Sequence, residues 1–389
     1  MLRARGIFFG DGLLPTYAYA FLASRERVEK WAARAEHLVA AAEGVAKRLV
    51  NDLEFYDAMG LHREGLDLVQ IDPGYSRTCV VCRPDGIPVG ADVKFVEVNC
   101  DSPAMMMFLD IVGQCLLELP AFERLRKQPP TSAADRLLEA LVDCYREFGG
   151  KDTPTIAITD WEAQKTQYEH LRLAEHFESR GYSTVVCDPR AFRLHGGKLH
   201  VKDRRIDLVY RRALSAEIIE RRSEVEPLIA AYRDHTVCMV NPLRSYVAGV
   251  KSVLSYLAIH EGADCVPNTL LLDNAKARDI VKASPHKWVL KKSESHGGNG
   301  VVLPGTNEAK WRAALAASSD EVWIAQEYIE VPRIAVPEVS GNRVARSEKY
   351  FNWNPFMFAG RYAGGMVRVS STPLINITLG GGLLPMFTT

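Results

Sequence analysis

The sequence predicts a mixed α/β protein of two or three packed units, and three stretches carry that reading. Residues 155–210 alternate apolar strand and amphipathic helix, the pattern of a parallel sheet with a helix on its face. Residues 288–303 read as a strand, a glycine-rich turn and a return strand. Residues 22–58 are dense in Ala, Glu, Arg and Leu with apolar positions at helical spacing, which predicts one or two surface helices. At 389 residues the chain is also longer than one hydrophobic core usually serves.

After the N-terminal helices, strands are expected at 78–82 and 93–98, joined by a turn at Arg83-Pro84-Asp85-Gly86. Helices at 103–118 and 133–147 flank a connector at 127–132. A strand at 155–159, a helix at 164–180 and a strand at 183–187 follow. A hairpin around His195-Gly196-Gly197 and a strand at 206–210 complete a small βαβ unit spanning 150–265. Beyond Pro267 come strands at 288–292 and 301–303, a helix at 308–317 and a strand at 322–328. The tail, 356–389, alternates short strands with glycine turns.

Composition narrows the function. Hydrophobic residues make up 47% and charged residues 25%, which excludes a disordered chain. Lys plus Arg equals Asp plus Glu at 48 each, so no global field recruits nucleic acid or an acidic membrane. Eight irregularly spaced cysteines make no disulfide framework, and a reducing cytoplasm is the expected compartment. Cys79 and Cys82 form one CxxC inside a predicted strand, without a second pair at zinc-ligand spacing. Residues 13–21 resemble a signal core but follow Asp11 and are interrupted, and no long apolar span follows, so a soluble, unprocessed protein is expected.

Three segments carry chemistry. In 288–301 a lysine on a strand runs into glycines, where backbone N–H groups of Gly297, Gly298, Asn299 and Gly300 can surround phosphate oxygens while Lys291 adds charge. The spacing is not that of a Walker loop, and taken alone the stretch also fits a plain hairpin with exposed lysines. About twenty residues on, Gln326, Glu327, Tyr328 and Ile329 end a strand where an adenine ring could read backbone groups. A buried strand with a wet end reads the same way. Far upstream, Glu97 and Asn99 stand two apart on a strand and so share a face. A carboxylate and an amide oxygen together make half of a Mg²⁺ shell. The plain alternative is a solvated polar face, which the apolar context of Glu97 opposes. No GxGxxG follows a strand, which removes a dehydrogenase reading of the βαβ region.

Together these pieces resemble the nucleotide site of the ATP-grasp superfamily. The Glu-x-Asn strand precedes the glycine loop, an order similar to the circularly permuted branch that includes eukaryotic glutathione synthetase, glutathionylspermidine synthetase and bacterial circularly permuted ATP-grasp proteins. The resemblance implies an ATP-grasp lobe at 266–345, C-terminal strands and a glycine-rich lid at 346–389, and an N-terminal part at 1–149 bearing the Mg²⁺ site. It implies Lys276 and Lys291 on the phosphates, with Lys292 an open alternative to Lys291, and Glu294 as a third metal ligand beside Glu97 and Asn99. It further implies Arg77, Ser102, Arg212, Arg368, Gly381 and Gly382 on the substrates, with Arg212, Arg368 and Lys291 in the catalytic step.

The implied activity is ATP- and Mg²⁺-dependent joining of a carboxylate to an amine through an acyl phosphate. The partners would be an amino acid or short peptide, with neither nucleic acid nor membrane, and a homodimer is left open. The competing class is an ATP-binding regulatory protein that has lost catalysis. Against it, Glu97, Asn99, Lys276, Lys291 and Arg368 are all retained.

Overall fold

A computed structural model describes residues 1–389 except 128–130, 261–263, 296–298, 306, 341–342 and 378–379. Helix Arg25–Asn51 starts at Ser24, whose side chain accepts the N–H of Arg27, and ends at Asp52, which caps the next helix, Leu53–Ala58. Its buried positions, among them Val28, Trp31, Ala35, Leu38, Ala42, Val45 and Leu49, recur every three or four residues. That stripe lies on a seven-stranded sheet, with Trp31 5.2 Å from Trp353 between ring centroids. The strands run in the order Phe21–Ala23, Gly382–Thr388, Arg361–Ser370, Arg343–Phe358, Val81–Val89 and Asp92–Asn99, with Arg333–Ser340 pairing the far end of Arg343–Phe358.

Two expectations change here. Arg83-Pro84-Asp85-Gly86 is not a turn: the strand runs through it to Val89, and the chain reverses at Gly90. The ladder shifts register between Asp85 and Gly86, and a Cβ on Gly86 would sit 2.7 Å from Val93 and 3.1 Å from the Trp353 carbonyl. The Pro-Asp-Gly signature therefore marks a bulge and a close approach to the neighbouring strand. The tail strands are also longer than expected, Arg361–Ser370 spanning 10 residues and Gly382–Thr388 7.

A second sheet is all parallel, in the order Cys238–Val240, Leu208–Arg211, Ile156–Thr159 and Thr184–Cys187, with helix Gln167–Ser179 crossing between the last two. Three of its four strands, Cys238–Val240, Leu208–Arg211 and Ile156–Thr159, are buried throughout, as expected where both faces are covered. The hairpin Phe192–His195 and Lys198–Val201 stands beside it. The third sheet, Thr269–Leu271, Trp323–Glu327, Trp288–Lys292 and Val301–Val302, is antiparallel. With helices Ala275–Ala283 and Glu308–Ala317 it encloses its own apolar cluster around Trp288, Leu290, Trp311 and Trp323. Among the described residues no helix is long and apolar enough to cross a membrane.

Buried polar groups join the first sheet to the second. The Asn241 side-chain amide accepts from the N–H of Val81 at 2.8 Å and donates to the carbonyls of Val81, Cys100 and Asp101. Arg211, fully buried, donates to Asp101 at 2.7 Å and to the carbonyl of Asn241 at 3.1 Å. Asp101 in turn accepts from the backbone and hydroxyl of Ser215. Removing one partner of such a pair strands the other charge. Arg211→Met should therefore cost about 3–5 kcal/mol of unfolding free energy in urea. A loss below about 1 kcal/mol would mean that the junction is held elsewhere.

Candidate active site

A cavity of about 880 Å³ opens between the seven-stranded sheet and the antiparallel sheet, with residues of the segments 214–220 and 246–251 beside it. The strand Asp92–Asn99 presents Glu97 and Asn99 on one face, and both line the cavity. Asp85, opposite Glu97 in the antiparallel register, joins them. It accepts from Asn354 at 3.0 Å, from the Asn99 amide at 3.4 Å and from Arg368 at 2.5 Å. Arg368 comes from strand Arg361–Ser370, where it stands opposite Asn352 and donates to its side chain at 3.4 Å.

Two lysines face the carboxylates. Lys251 Nζ lies 3.0 Å from Glu97, and Lys291 donates to the Val96 carbonyl at 2.9 Å and to Gln326 Oε1 at 2.7 Å. Burial alone would raise the Glu97 carboxyl, but Lys251 and then Lys291 outweigh it and hold it down at about 2. Burial pushes the Lys291 ammonium down to about 8, Glu97 opposing. Lys292 instead pairs with Glu321 at the surface. Strand alternation thus turns Lys291 inward and Lys292 outward.

The cavity also takes in Ser102, Glu294, Gln326, Glu327, Tyr328 and Ile329 among the residues singled out from sequence. Ser102 donates to the Arg212 carbonyl at 2.5 Å, and Gln326 is held by Thr269 at 3.2 Å as well as by Lys291. Val289, Val301, Leu303 and Val331 surround the 326–329 hinge with apolar surface suited to a flat ring.

Other candidates lie elsewhere. Lys276 is exposed on the first turn of its helix, because Ala277 and Val281 form the buried face. Arg77 is exposed beside Gly360. Arg212 is buried behind the cavity, donating to Pro103, Tyr210 and His170. Gly381 and Gly382 allow close packing instead: a Cβ on either would meet Asn376 or Tyr17 at 2.6 Å, and the cavity wall is residues 373–377. Asn299 and Gly300 close the hairpin, the Gly300 carbonyl accepting from Lys292 N–H at 2.9 Å, and lie outside the cavity lining. Gly297 and Gly298 fall outside the described residues.

Sequence reasoning missed Asp85, Arg83 and Lys251. Asp85 was hidden by its turn-like context, although Arg83 and Asp85 stand two apart, the same signal that singled out Glu97 and Asn99. Lys251 left one trace, Gly249 two residues before it. A Cβ there would lie 2.9 Å from the Val98 carbonyl, so the glycine lets this segment touch the Glu97 strand. The structure also sets Cys100 beside Cys79 and Cys82, all buried, with their sulfur atoms within 4.8 Å of one another.

The donors suit the expected ligands. Glu97, Asp85 and the Asn99 side chain are hard oxygen donors of the kind Mg²⁺ takes. Arg83, a buried guanidinium at the cavity, has an Nε without a hydrogen-bond partner, as a site for an anion would. The Glu97 shift has a checkable consequence in the metal-free protein. A carboxyl depressed from 4.5 to about 2 contributes stability that is complete above its unfolded value and lost as pH falls through about 2. Lys251→Met removes its leading attractive partner and lets burial raise the carboxyl. The difference in urea stability between wild type and variant should therefore narrow between neutral pH and about pH 3. A difference that stays constant would show that Lys251 does not set the charge on Glu97.

The family model for circularly permuted ATP-grasp type 2 proteins matches residues 111–370, beginning just after the Glu97 strand. No curated protein matches the chain. Among solved structures, a glutathione synthetase-like effector from Globodera pallida is 12% identical, aligns over 100% of this chain and 94% of its own, and superposes with a TM-score of 0.62. That likeness is one of fold. D-alanyl-alanine synthetase A from Vibrio cholerae O1 biovar eltor is 11% identical over 52% of this chain and 68% of its own, at a TM-score of 0.32. With two thirds of its length matched and the permuted order of its site in place, the chain belongs to the circularly permuted ATP-grasp type 2 family.

Proposed function

We propose that the protein is an ATP- and Mg²⁺-dependent ligase that forms an amide bond between a carboxylate and an amine. The observation that carries this reading is the set of paired charges in one cavity, Glu97 with Lys251 and Lys291, and Asp85 with Arg368. A site that had lost catalysis would have no reason to keep two carboxylates and three cations packed against each other, four of the five buried, since such burial is costly.

ATP with Mg²⁺ would supply the phosphoryl group that converts a carboxylate, otherwise a poor acylating agent, into an acyl phosphate open to attack by an amine. The chain's part is positioning and charge. Lys251 and Lys291 stand where a polyphosphate's oxygens need cations, and Glu97, Asn99 and Asp85 hold the metal between them. Gln326 fixes Lys291 through its side-chain oxygen, and residues 326–329 with the apolar slot receive the base. Arg368 is paired with Asp85 and lines the cavity, where it would meet the carboxylate substrate. Residues 373–377 line the cavity, where they would shield from water an intermediate that hydrolyses readily.

The experiment is ADP release with ATP and Mg²⁺ against amino acids and dipeptides, with products read by mass spectrometry. Glu97→Gln should keep the fold and cut turnover by roughly 10²–10³-fold, the loss typical of one transition-state stabiliser. Near-normal turnover in that variant would take the metal away from Glu97.

A further inference from the structure

Three cysteines meet behind the strands that carry Asp85 and Glu97. Cys82 lies in strand Val81–Val89, and Cys100 follows Asn99, whose partner across the ladder is Arg83. Strand alternation sends Arg83 into the cavity and Cys82 to the opposite face. Cys82 and Cys100 stand across the ladder from each other, with their sulfur atoms 3.5 Å apart. Cys79 brings a third sulfur, and all three lie within 4.8 Å of one another. Among the described residues no other group of three or more His, Cys, Asp or Glu side chains converges in this way.

Their positions are fixed by bonds that use none of the sulfurs. The N–H groups of Thr78 and Cys79 donate to the Glu43 carboxylate at 2.7 and 2.6 Å. Asn241 accepts from the N–H of Val81, next to Cys82, and donates to the Cys100 carbonyl at 2.7 Å. All three are buried, free thiols. A single buried cysteine is a small apolar side chain and no more. Three that converge, each on a backbone held by its own contacts, form a preorganised set of sulfur ligands.

Ligand count and charge select what such a set takes. Zn²⁺ prefers four donors, and among the described residues no fourth His, Cys, Asp or Glu atom lies within the same spacing. Three thiolates around Cu(I) would leave two negative charges, and around Zn²⁺ one, close to the buried Glu43 carboxylate. Unpaired charge in such a place is costly. A trivalent, three-coordinate thiophile leaves none. Arsenite, As(OH)₃, is such a centre, and as a small neutral molecule it can arrive from the cavity, which Cys100 borders.

We propose that Cys79, Cys82 and Cys100 form a binding site for one trivalent arsenic centre, held by all three sulfurs. Each As–S bond forms as an As–O bond breaks, and the leaving hydroxide takes the thiol proton. Arsenite and three thiols thus give As(SR)₃ and three waters, with arsenic and sulfur unchanged in oxidation state. Occupancy ties Cys79 and Cys82 to Cys100, and so clamps together the strands that present Asp85 and Glu97.

The full chain, reduced with a phosphine and incubated with arsenite, tests it. Arsenic X-ray absorption should show three sulfur neighbours, and three of the eight cysteines should escape alkylation. Cys82→Ala and Cys100→Ala should each lose roughly 10²-fold in affinity, because the third thiol no longer acts at high effective concentration. Cys144→Ala, at a buried cysteine outside the trio, should bind as wild type does. Two sulfur neighbours, undiminished binding by Cys82→Ala, or no arsenic held even by chain refolded in its presence overturns the inference. So does Zn²⁺ or Cu(I) at these sulfurs that arsenite fails to displace. The wild-type absorption spectrum decides the case where an alanine variant folds poorly, and none of these outcomes touches the ligase reading.

Discussion

The structure depends on one buried joint, where Asn241 and Arg211 grip the end of the Glu97 strand. Asn241 spans Val81, Cys100 and Asp101, and Arg211 closes on Asp101, so the last residues of that strand are fixed from the parallel unit. Glu97 and Asn99 stand one to four residues away. Their direction into the cavity is therefore set by contacts made outside it. A hydrophobic contact of the same area would hold the sheets together but would tolerate sliding. The hydrogen bonds of a side-chain amide and a guanidinium admit one alignment.

Within the cavity, the opposing charges solve a problem that burial creates. Burial alone would raise the Glu97 carboxyl and lower the Lys291 ammonium. Each stabilises the other's charge, with Lys251 as a third member. Both cations are thus kept in place before any phosphate arrives, and a polyphosphate replaces a partner they already have. Such preorganisation lowers the reorganisation needed when charge develops on a transferring group.

Most of the strands and helices were legible in the sequence because apolar period and glycine punctuation are local signals. Trp288–Lys292 and Glu308–Ala317 are cases where local pattern fixed both ends. The Pro-Asp-Gly stretch misled because the same residues serve turns and bulges, and only the Trp353 carbonyl across the ladder distinguishes them. Among the candidate residues, Glu97, Asn99 and Lys291 reach the cavity because they sit on regular strands whose alternation decides their direction. Arg83 and Asp85 carry the same two-apart signal inside a turn-like stretch that hides it, and Lys251 leaves only Gly249 as a trace, since its place depends on which distant strand passes by. Arg212 fails for the converse reason: its neighbours Pro103, Tyr210 and His170 consume a guanidinium that its sequence context offers to a substrate.

The antiparallel lobe encloses its own tryptophan-rich core around Leu290, independent of the larger clusters beneath the other two sheets. A unit that buries its own apolar surface keeps its internal order while its outer contacts are exchanged. Outward, Ile324 joins the larger cluster, and beside it lie polar contacts such as Lys291 on the Val96 carbonyl and the Ser293 carbonyl accepting from the N–H of Lys251. These are bonds that water can replace at little net cost. Amide hydrogens inside this lobe should accordingly exchange as one cooperative block, on a clock separate from that of the seven-stranded sheet.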